Sequence, residues 1–385
     1  MTSNEPHDDI QYPTALPFVL VHVSCLAAIW TGITWTAVVI GVALYFLRIF
    51  AIGAGYHRYF SHRAYATSRV FQFLLALVAQ STAQKSVIWW ASKHRHHHRH
   101  SDTAQDVHSP RHHGFFYSHV GWVFSRRHDE ADLKAVSDLT SFPELRLLHR
   151  YELAPAVALG IFCFVVAGWP GLVVGFLWST VVLYHATFCI NSLAHVHGST
   201  RYVTGDDSRN NILLALMTMG EGWHNNHHAY QASVRQGFRW WEFDPTYYIL
   251  KALSWLGIVW DLQLPPQSIL RNEQRLGARV TAKAAAMLAA HFDSGMIAST
   301  IKSSLAGSEL AWLCEKLMQA PHDMAETLKG LHLPALPSRE EFLAQAKARL
   351  AASPSLHEIA DRARELVLAS VALHLTRTAF AGSPA

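Results

Sequence analysis

The chain has 385 residues, 50% of them hydrophobic and only 16% charged, against roughly a quarter charged in an ordinary soluble domain. That deficit argues against an all-soluble protein. A net charge of +4 with no basic block, zinc-finger spacing or Gly-rich phosphate loop argues against nucleic acid as a partner and leaves a lipid bilayer as the expected one. Cys25, Cys163, Cys189 and Cys314 lack CxxC spacing, so neither a disulfide framework nor a thiolate metal site is indicated.

Taken in chain order, Met1 to Asp9 is acidic, unlike the basic start of a secretory leader, and residues 1–15 are expected to be an N-terminal cytosolic segment. No Asp, Glu, Lys or Arg occurs between Asp9 and Arg48. At a rise of about 1.5 Å per residue, that stretch nearly suffices for two crossings of a roughly 30 Å hydrocarbon core. A tight hairpin with crossings at about 16–33 and 36–54 is predicted. Val70 to Gln84 is apolar but too short to cross, which suits a core, interfacial or re-entrant helix. A second uncharged stretch, Leu153 to Thr200, is broken by Gly168-Trp169-Pro170-Gly171 and reads as a second hairpin at about 153–168 and 171–191. The expected fold is therefore all-α: an integral membrane protein with four transmembrane helices in two hairpins and a cytosolic helical cap.

Fourteen Lys and Arg residues lie between Arg48 and Arg150 and none in either hairpin turn, so the loops between the hairpins and both termini are expected on the cytoplasmic side. Trp89, Trp90, Trp122, Trp240 and Trp241 flank the apolar segments, suited either to the headgroup level or to packing around a site. Past Pro265-Pro266 the chain turns Ala-rich, with a capping box at Ser338 and Glu341 and breaks at Pro334, Pro337 and Pro354. Residues 265–385 are expected to form a helical cytosolic C-terminal extension to a membrane domain at 16–264.

Histidine is the outlier: 26 residues, 11 of them between His57 and His119. Three clusters stand out, His57-Arg-Tyr-Phe-Ser-His62, His94-Arg-His-His97-His98 and His224-Asn-Asn-His227-His228. In the last two, positions i, i+3 and i+4 share one face of an α-helix and can chelate. In the first, i and i+5 diverge by about 140° on an α-helix, which is poor for gripping one ion but good for serving two neighbouring ions or spanning a helix end. Eight imidazoles exceed the needs of one four-coordinate zinc, so a pair of metal ions is the economical reading. Imidazole suits iron, copper, nickel or zinc. Iron is favoured because it can reduce O2 where the end of a lipid chain would arrive. His96, His100, His112 and His113 are set aside as non-ligands, and His7, His22, His149, His291 and His374 as isolated side chains.

The strings GYHRYFSHRAY, WWASKHRHHHRHSDTAQDVHSP, GFFYSHVGW, NSLAHVHG, GEGWHNNHHAY and GFRWWEFDPTYY resemble the membrane acyl-CoA Δ9 desaturase family, similar to stearoyl-CoA desaturase and its bacterial relatives, over about Phe18 to Leu264. The resemblance implies O2-dependent insertion of a cis double bond into a saturated acyl chain at a di-iron centre in a bacterial inner membrane. It implies His57, His62, His94, His97, His98, His224, His227 and His228 as ligands, adds His195 as a ninth, and makes Asn191 a ligand through water; His197 has no such counterpart. Asp106 and Glu221 are candidate acceptors for ligand imidazole N–H groups.

Arg126 and Arg127 match a basic pair that helps hold the CoA moiety in the family, a role suited to Arg. Ser92 and Val107 depart from the animal pattern, which leaves an acyl-lipid substrate open beside acyl-CoA. Gly41 and Tyr45 are candidates for the floor at the methyl end of an acyl tunnel. With no HPGG haem motif in the sequence, electrons are expected from a separate cytochrome b5, ferredoxin or rubredoxin with its reductase. A related hydroxylase or mono-oxygenase is the nearest rival. A histidine-rich metal transporter or sensor is the remote one, because transporters place their sites near the bilayer midplane and these clusters lie outside the uncharged spans.

Overall fold

The computed structural model describes residues 12–271 and the isolated positions 280, 282, 283 and 344. The chain divides into two units, residues 1–270 and 271–385. The predicted C-terminal extension beyond residue 271, with its capping box, and the segment before Tyr12 lie outside the described residues apart from those isolated positions.

Helix α1 (Tyr12–Ser24) continues through a tighter turn to Thr31 and stops at Gly32, whose φ of +75° reverses the chain. The Thr34 hydroxyl then accepts the Ala37 N–H at 3.2 Å and starts α2 (Trp35–Phe50). Without a break, α2 runs into a π-helical segment, Ala51–Ser61. Ser68 caps α3 (Arg69–Gln80) and Ser86 caps α4 (Val87–His100) in the same manner as Thr34. Helix α5 (Ala154–Pro170) breaks at Ala167 and Gly168, the latter at φ +61°. The chain then returns through a π-helical stretch, Gly171–Trp178, into α6 (Ser179–Asn191).

Among the described residues two helices are long and apolar enough to cross a membrane, Trp35–Ser61 and Ala154–His195, the second of them carrying the break at Ala167-Gly168. The apolar segments Ala15–Thr31 and Arg69–Gln80 are shorter. Gly41 brings α2 against the returning strand of helix so closely that a Cβ there would meet the Val174 carbonyl oxygen at 2.9 Å. Trp30, Trp35, Val39, Val157 and Val165 point outward and are exposed. An exposed apolar belt of this extent suits a lipid surface better than water.

The core of the other half packs Ile52, Phe60 and Tyr65 against Leu75, Ile88, Leu145 and Leu250. A two-residue strand, β1 (Ala66–Thr67), pairs antiparallel with β2 (Val259–Trp260) and ties the chain after the first histidine cluster to the end of the unit. Short helices in this half include α7 (Ile212–Met217), α8 (His224–Ala229) and α9 (Pro245–Trp255).

Candidate metal centre

The three histidine clusters arrive on the π-helical segment, on the last turns of α4 and on α8, and they meet in two groups. The first group is His57, His62, His94, His98 and His227; the second is His97, His195, His224 and His228. In each, the facing ring nitrogens all lie within 4.8 Å of one another.

His57 and His62 join the same group, contrary to the α-helical geometry read from their spacing. The segment is wound as a π-helix, in which the His62 N–H reaches the His57 carbonyl at 3.2 Å. An i to i+5 turn brings residue i+5 back over residue i. Of the five histidines on helix α4 three enter the groups and are split between them, His94 and His98 facing the first and His97 the second. On α8, His227 joins the first while His224 and His228 join the second.

The Nε2 atoms of the first group form a chain, His57 to His227 at 2.9 Å, His227 to His98 at 2.9 Å, His98 to His94 at 3.0 Å and His94 to His62 at 2.8 Å. A neutral imidazole nitrogen carries one N–H or one lone pair, so hydrogen bonds alone poorly satisfy the three inner atoms, each of which faces two others. Two nitrogens bound at right angles to one ion, each about 2.0–2.1 Å from it, stand about 2.9 Å apart. In the second group His195 Nε2 lies 3.0 Å from His224 Nε2, and the Nε2 atoms of His97 and His228 are buried without a hydrogen-bond partner. These orphaned acceptors and the all-nitrogen donor set fit a pair of cations. Burial, and then the neighbouring rings, lowers the pKa of His62, His94, His98, His224 and His227, favouring the neutral form that can ligate.

Carboxylates fix the orientation of four rings. His57 Nδ1 donates to Glu221, His97 Nδ1 to Asp106 at 3.0 Å, His195 Nδ1 to Asp102 at 2.8 Å and His228 Nδ1 to Asp206 at 2.8 Å. Each bond sets a tautomer with the Nε2 lone pair free to face a metal. Burial opposes ionisation of these acids, yet the facing imidazoles and local hydrogen bonds hold Asp102, Asp106 and Asp206 below the usual carboxylate range. Glu221 likewise overcomes its burial, drawn down to about 2 by His57 and Arg58. The buried Arg58 guanidinium bridges Glu221 at 2.8 Å and Asp244 at 3.0 Å.

Asp102 and Asp206 escaped the sequence reading. Asp102 closes the His-rich run and could have been suspected for that reason, whereas Asp206, in a polar loop, stands at no telling distance from any histidine cluster. His96 and His112 turn away from both groups, their Nε2 atoms donating to the Gln105 and Asp102 carbonyls at 2.8 and 3.1 Å. His113 does the same to the Asp106 carbonyl at 3.2 Å.

An apolar cavity of about 420 Å³ reaches the first group at His94, whose ring is stacked on Trp90. It runs along α6, from Asn191 through Thr187 and Tyr184 to Phe176, with Phe18 and Val21 of α1 on another side. Beside Trp90, Gln84 donates to the Thr187 hydroxyl at 3.3 Å. Arg126 and Arg127 are exposed on a turn directly after Phe124, which lines the cavity. Gly41 and Tyr45, expected at the tunnel floor, are not among the lining residues. Gly41 is taken up by the helix crossing, and the Tyr45 hydroxyl donates to the Met217 carbonyl at 2.7 Å.

The sequence model of the family described as "Fatty acid desaturase" matches residues 33–258. An acyl-CoA 5-desaturase of Anemone leveillei is 35% identical over 251 residues, 64% of this chain and 78% of that protein. An sn-1 stearoyl-lipid 9-desaturase of Anabaena variabilis is 35% identical over 266 residues, 68% of this chain and 97% of that protein. A chloroplastic palmitoyl-monogalactosyldiacylglycerol delta-7 desaturase of Arabidopsis thaliana is 36% identical over 240 residues, 61% of this chain and 64% of that protein.

Proposed function

The chain belongs to the fatty acid desaturase family, and from that premise we propose that it is an O2-dependent membrane desaturase that places a cis double bond, at the Δ9 position, in a saturated long-chain acyl-CoA. The observation that carries this reading is that an apolar cavity reaches the five-histidine group at His94, with the four-histidine group next to it through the neighbouring His97 and His98 of the same helix. A transporter has no need of an apolar cavity reaching one of its metal ligands.

In this reading the two histidine groups hold two iron ions, and Asn191, at the end of α6, contributes through water. The bound metals would supply the O2 activation that takes two vicinal hydrogens from the chain. The protein does the rest. Asp102, Asp106, Asp206 and Glu221 hold four imidazoles in the ligating tautomer before any metal arrives. Trp90, Gln84 and Thr187 line the cavity together with His94, so a chain threaded there would be held beside the site by fixed side chains. The apolar walls along α6 and α1 keep water from that pair.

Arg126 and Arg127, exposed beside the cavity, are placed to take an anionic carrier such as CoA outside it. A second reading, an acyl-lipid substrate, is favoured by the likeness to the stearoyl-lipid 9-desaturase. The helices form four membrane spans in two hairpins, with both termini and the site on the cytoplasmic face of a bacterial inner membrane. Two electrons come from a separate donor of cytochrome b5, ferredoxin or rubredoxin type through its reductase. Residues 265–385 form a cytosolic appendage.

The test is gas chromatography–mass spectrometry of fatty acids from a host expressing the chain with a compatible reductase, beside His228→Ala. A new cis-monoene that depends on His228 is expected, and derivatisation locates the bond. A hydroxylated or ketonic product would move the assignment to an oxygenase.

A further inference from the structure

Arg48 is fully buried in the middle of the apolar helix Trp35–Ser61. Among the described residues no Asp or Glu pairs with it. Its Nη1 donates to the Thr180 hydroxyl at 2.8 Å and the Ser81 carbonyl at 3.4 Å, its Nη2 to the Ser179 hydroxyl at 2.6 Å, and its Nε to the Leu44 carbonyl at 3.2 Å. The guanidinium also sits over the Phe176 ring, 5.4 Å from its centroid. A buried cation without a counter-ion is costly, and it persists only where its hydrogen bonds are held in place.

Two of its partners, Thr180 and Phe176, are walls of the cavity. They lie at the start of α6 and on the π-helical stretch before it, roughly 20 Å of helix from Asn191 at the metal end. Arg48 stands behind them, between the cavity and the face of α2 that carries Gly41. An apolar wall gives way when a side chain changes rotamer. This one cannot do so cheaply, because displacing Thr180 or Phe176 strips a hydrogen bond or a ring face from an unpaired cation in a low-dielectric surround.

Resting on the desaturase reading above, we infer that Arg48 is the residue that limits acyl length, acting through Thr180 and Phe176 as a stiff polar stop for the methyl end of the chain. The stop makes the length limit sharp, since a stiff wall rejects one further methylene pair outright where a compliant wall would accommodate it in part.

The experiment offers an equimolar series of saturated acyl-CoAs of increasing length to membranes holding the full-length, iron-loaded protein, and reads the monoenes by chain length. Wild type is expected to cut off within two carbons, the first rejected length falling by about tenfold or more. Arg48→Ala is expected to raise the ratio of long to short products by about tenfold, and Arg48→Lys by less in the same direction. A role confined to folding would lower all products together and leave the ratio alone. An unchanged ratio in any of Arg48→Ala, Arg48→Lys or Arg48→Met that still makes monoenes overturns the inference. So does a gradual decline with length in wild type, which needs no variant to fold. With a reductase and donor that support a known desaturase supplied, and with acyl-lipids offered beside the acyl-CoAs, a wild type that makes no monoene from either overturns the desaturase reading itself, a result distinct from an active enzyme whose length limit ignores Arg48.

Discussion

The two histidine groups are built by different means. In the five-histidine group the backbone does most of the placing: a π turn brings His57 and His62 together, and α4 delivers His94 and His98 one turn apart. Glu221 is the carboxylate bonded to a ring there, and Arg58 offsets its charge. In the four-histidine group, by contrast, His97, His195 and His228 come from three separate segments, and each ring is held by its own buried acid, Asp106, Asp102 and Asp206. Where one stretch of helix cannot supply the geometry, buried carboxylates supply it. They also leave three negative charges beside the second group, against one largely neutralised charge beside the first.

Removing a ligand should separate the groups most clearly. His224→Ala leaves three imidazoles in its group and His62→Ala leaves four in the other, so the first is expected to lose its ion, halving the metal per chain, while the second retains more. Both should abolish or nearly abolish desaturation, and metal analysis of purified protein tells them apart. Equal metal loss in the two variants would break the comparison.

A smaller effect is expected from the acids. Asp102→Asn or Asp206→Asn should weaken metal binding at the four-histidine group by about 10–100-fold, with the other group little changed, as read by competition with a chelator. Glu221→Gln should show the reverse selectivity, together with a loss of stability as Arg58 loses a buried partner.

Stripping the metals should lower the thermal unfolding midpoint, because an ion present at about a hundred times its Kd adds about 2.7 kcal/mol to the folded state. That shift should shrink by roughly half in His224→Ala if the two groups contribute comparably. The smallest change belongs to His96→Ala and His112→Ala, whose ring nitrogens bond backbone carbonyls and join neither group. Neither should move stability by more than about 0.5 kcal/mol. A metal content below wild type in either variant would show that the groups extend farther than their geometry indicates.

Much of the site could be read along the chain because its logic is local. An i, i+3, i+4 spacing on α4 and α8 places three imidazoles on one side of a short helix whatever the helix packs against. The turns are equally local: Gly32 and Gly168 adopt positive φ, and Thr34, Ser68 and Ser86 cap the helices that follow. The His57–His62 pair resisted the same treatment, since α-helical angles set the two rings apart. Nothing in the string HRYFSH announces a π turn, and ten of the eleven residues of that segment are buried, so its winding answers to neighbouring helices. Gly41 and Tyr45 do not line the cavity for a related reason: a residue on a helix faces a site only if the helix rotation allows, and here close contact between α2 and the chain near Val174 sets that rotation.

Composition, uncharged stretches and histidine spacing by themselves determined a helical protein with long apolar helices, two hairpin signals and clustered histidines, because these depend on residue type and short-range periodicity. Only the tertiary structure decided how nine histidines divide into five and four, which acids orient them and where the cavity stops. Those outcomes rest on contacts between residues far apart in the chain, such as Asp102 with His195 and Arg48 with Thr180. Their cause is burial: a charge or polar atom removed from water must find its partner wherever the fold brings one within reach.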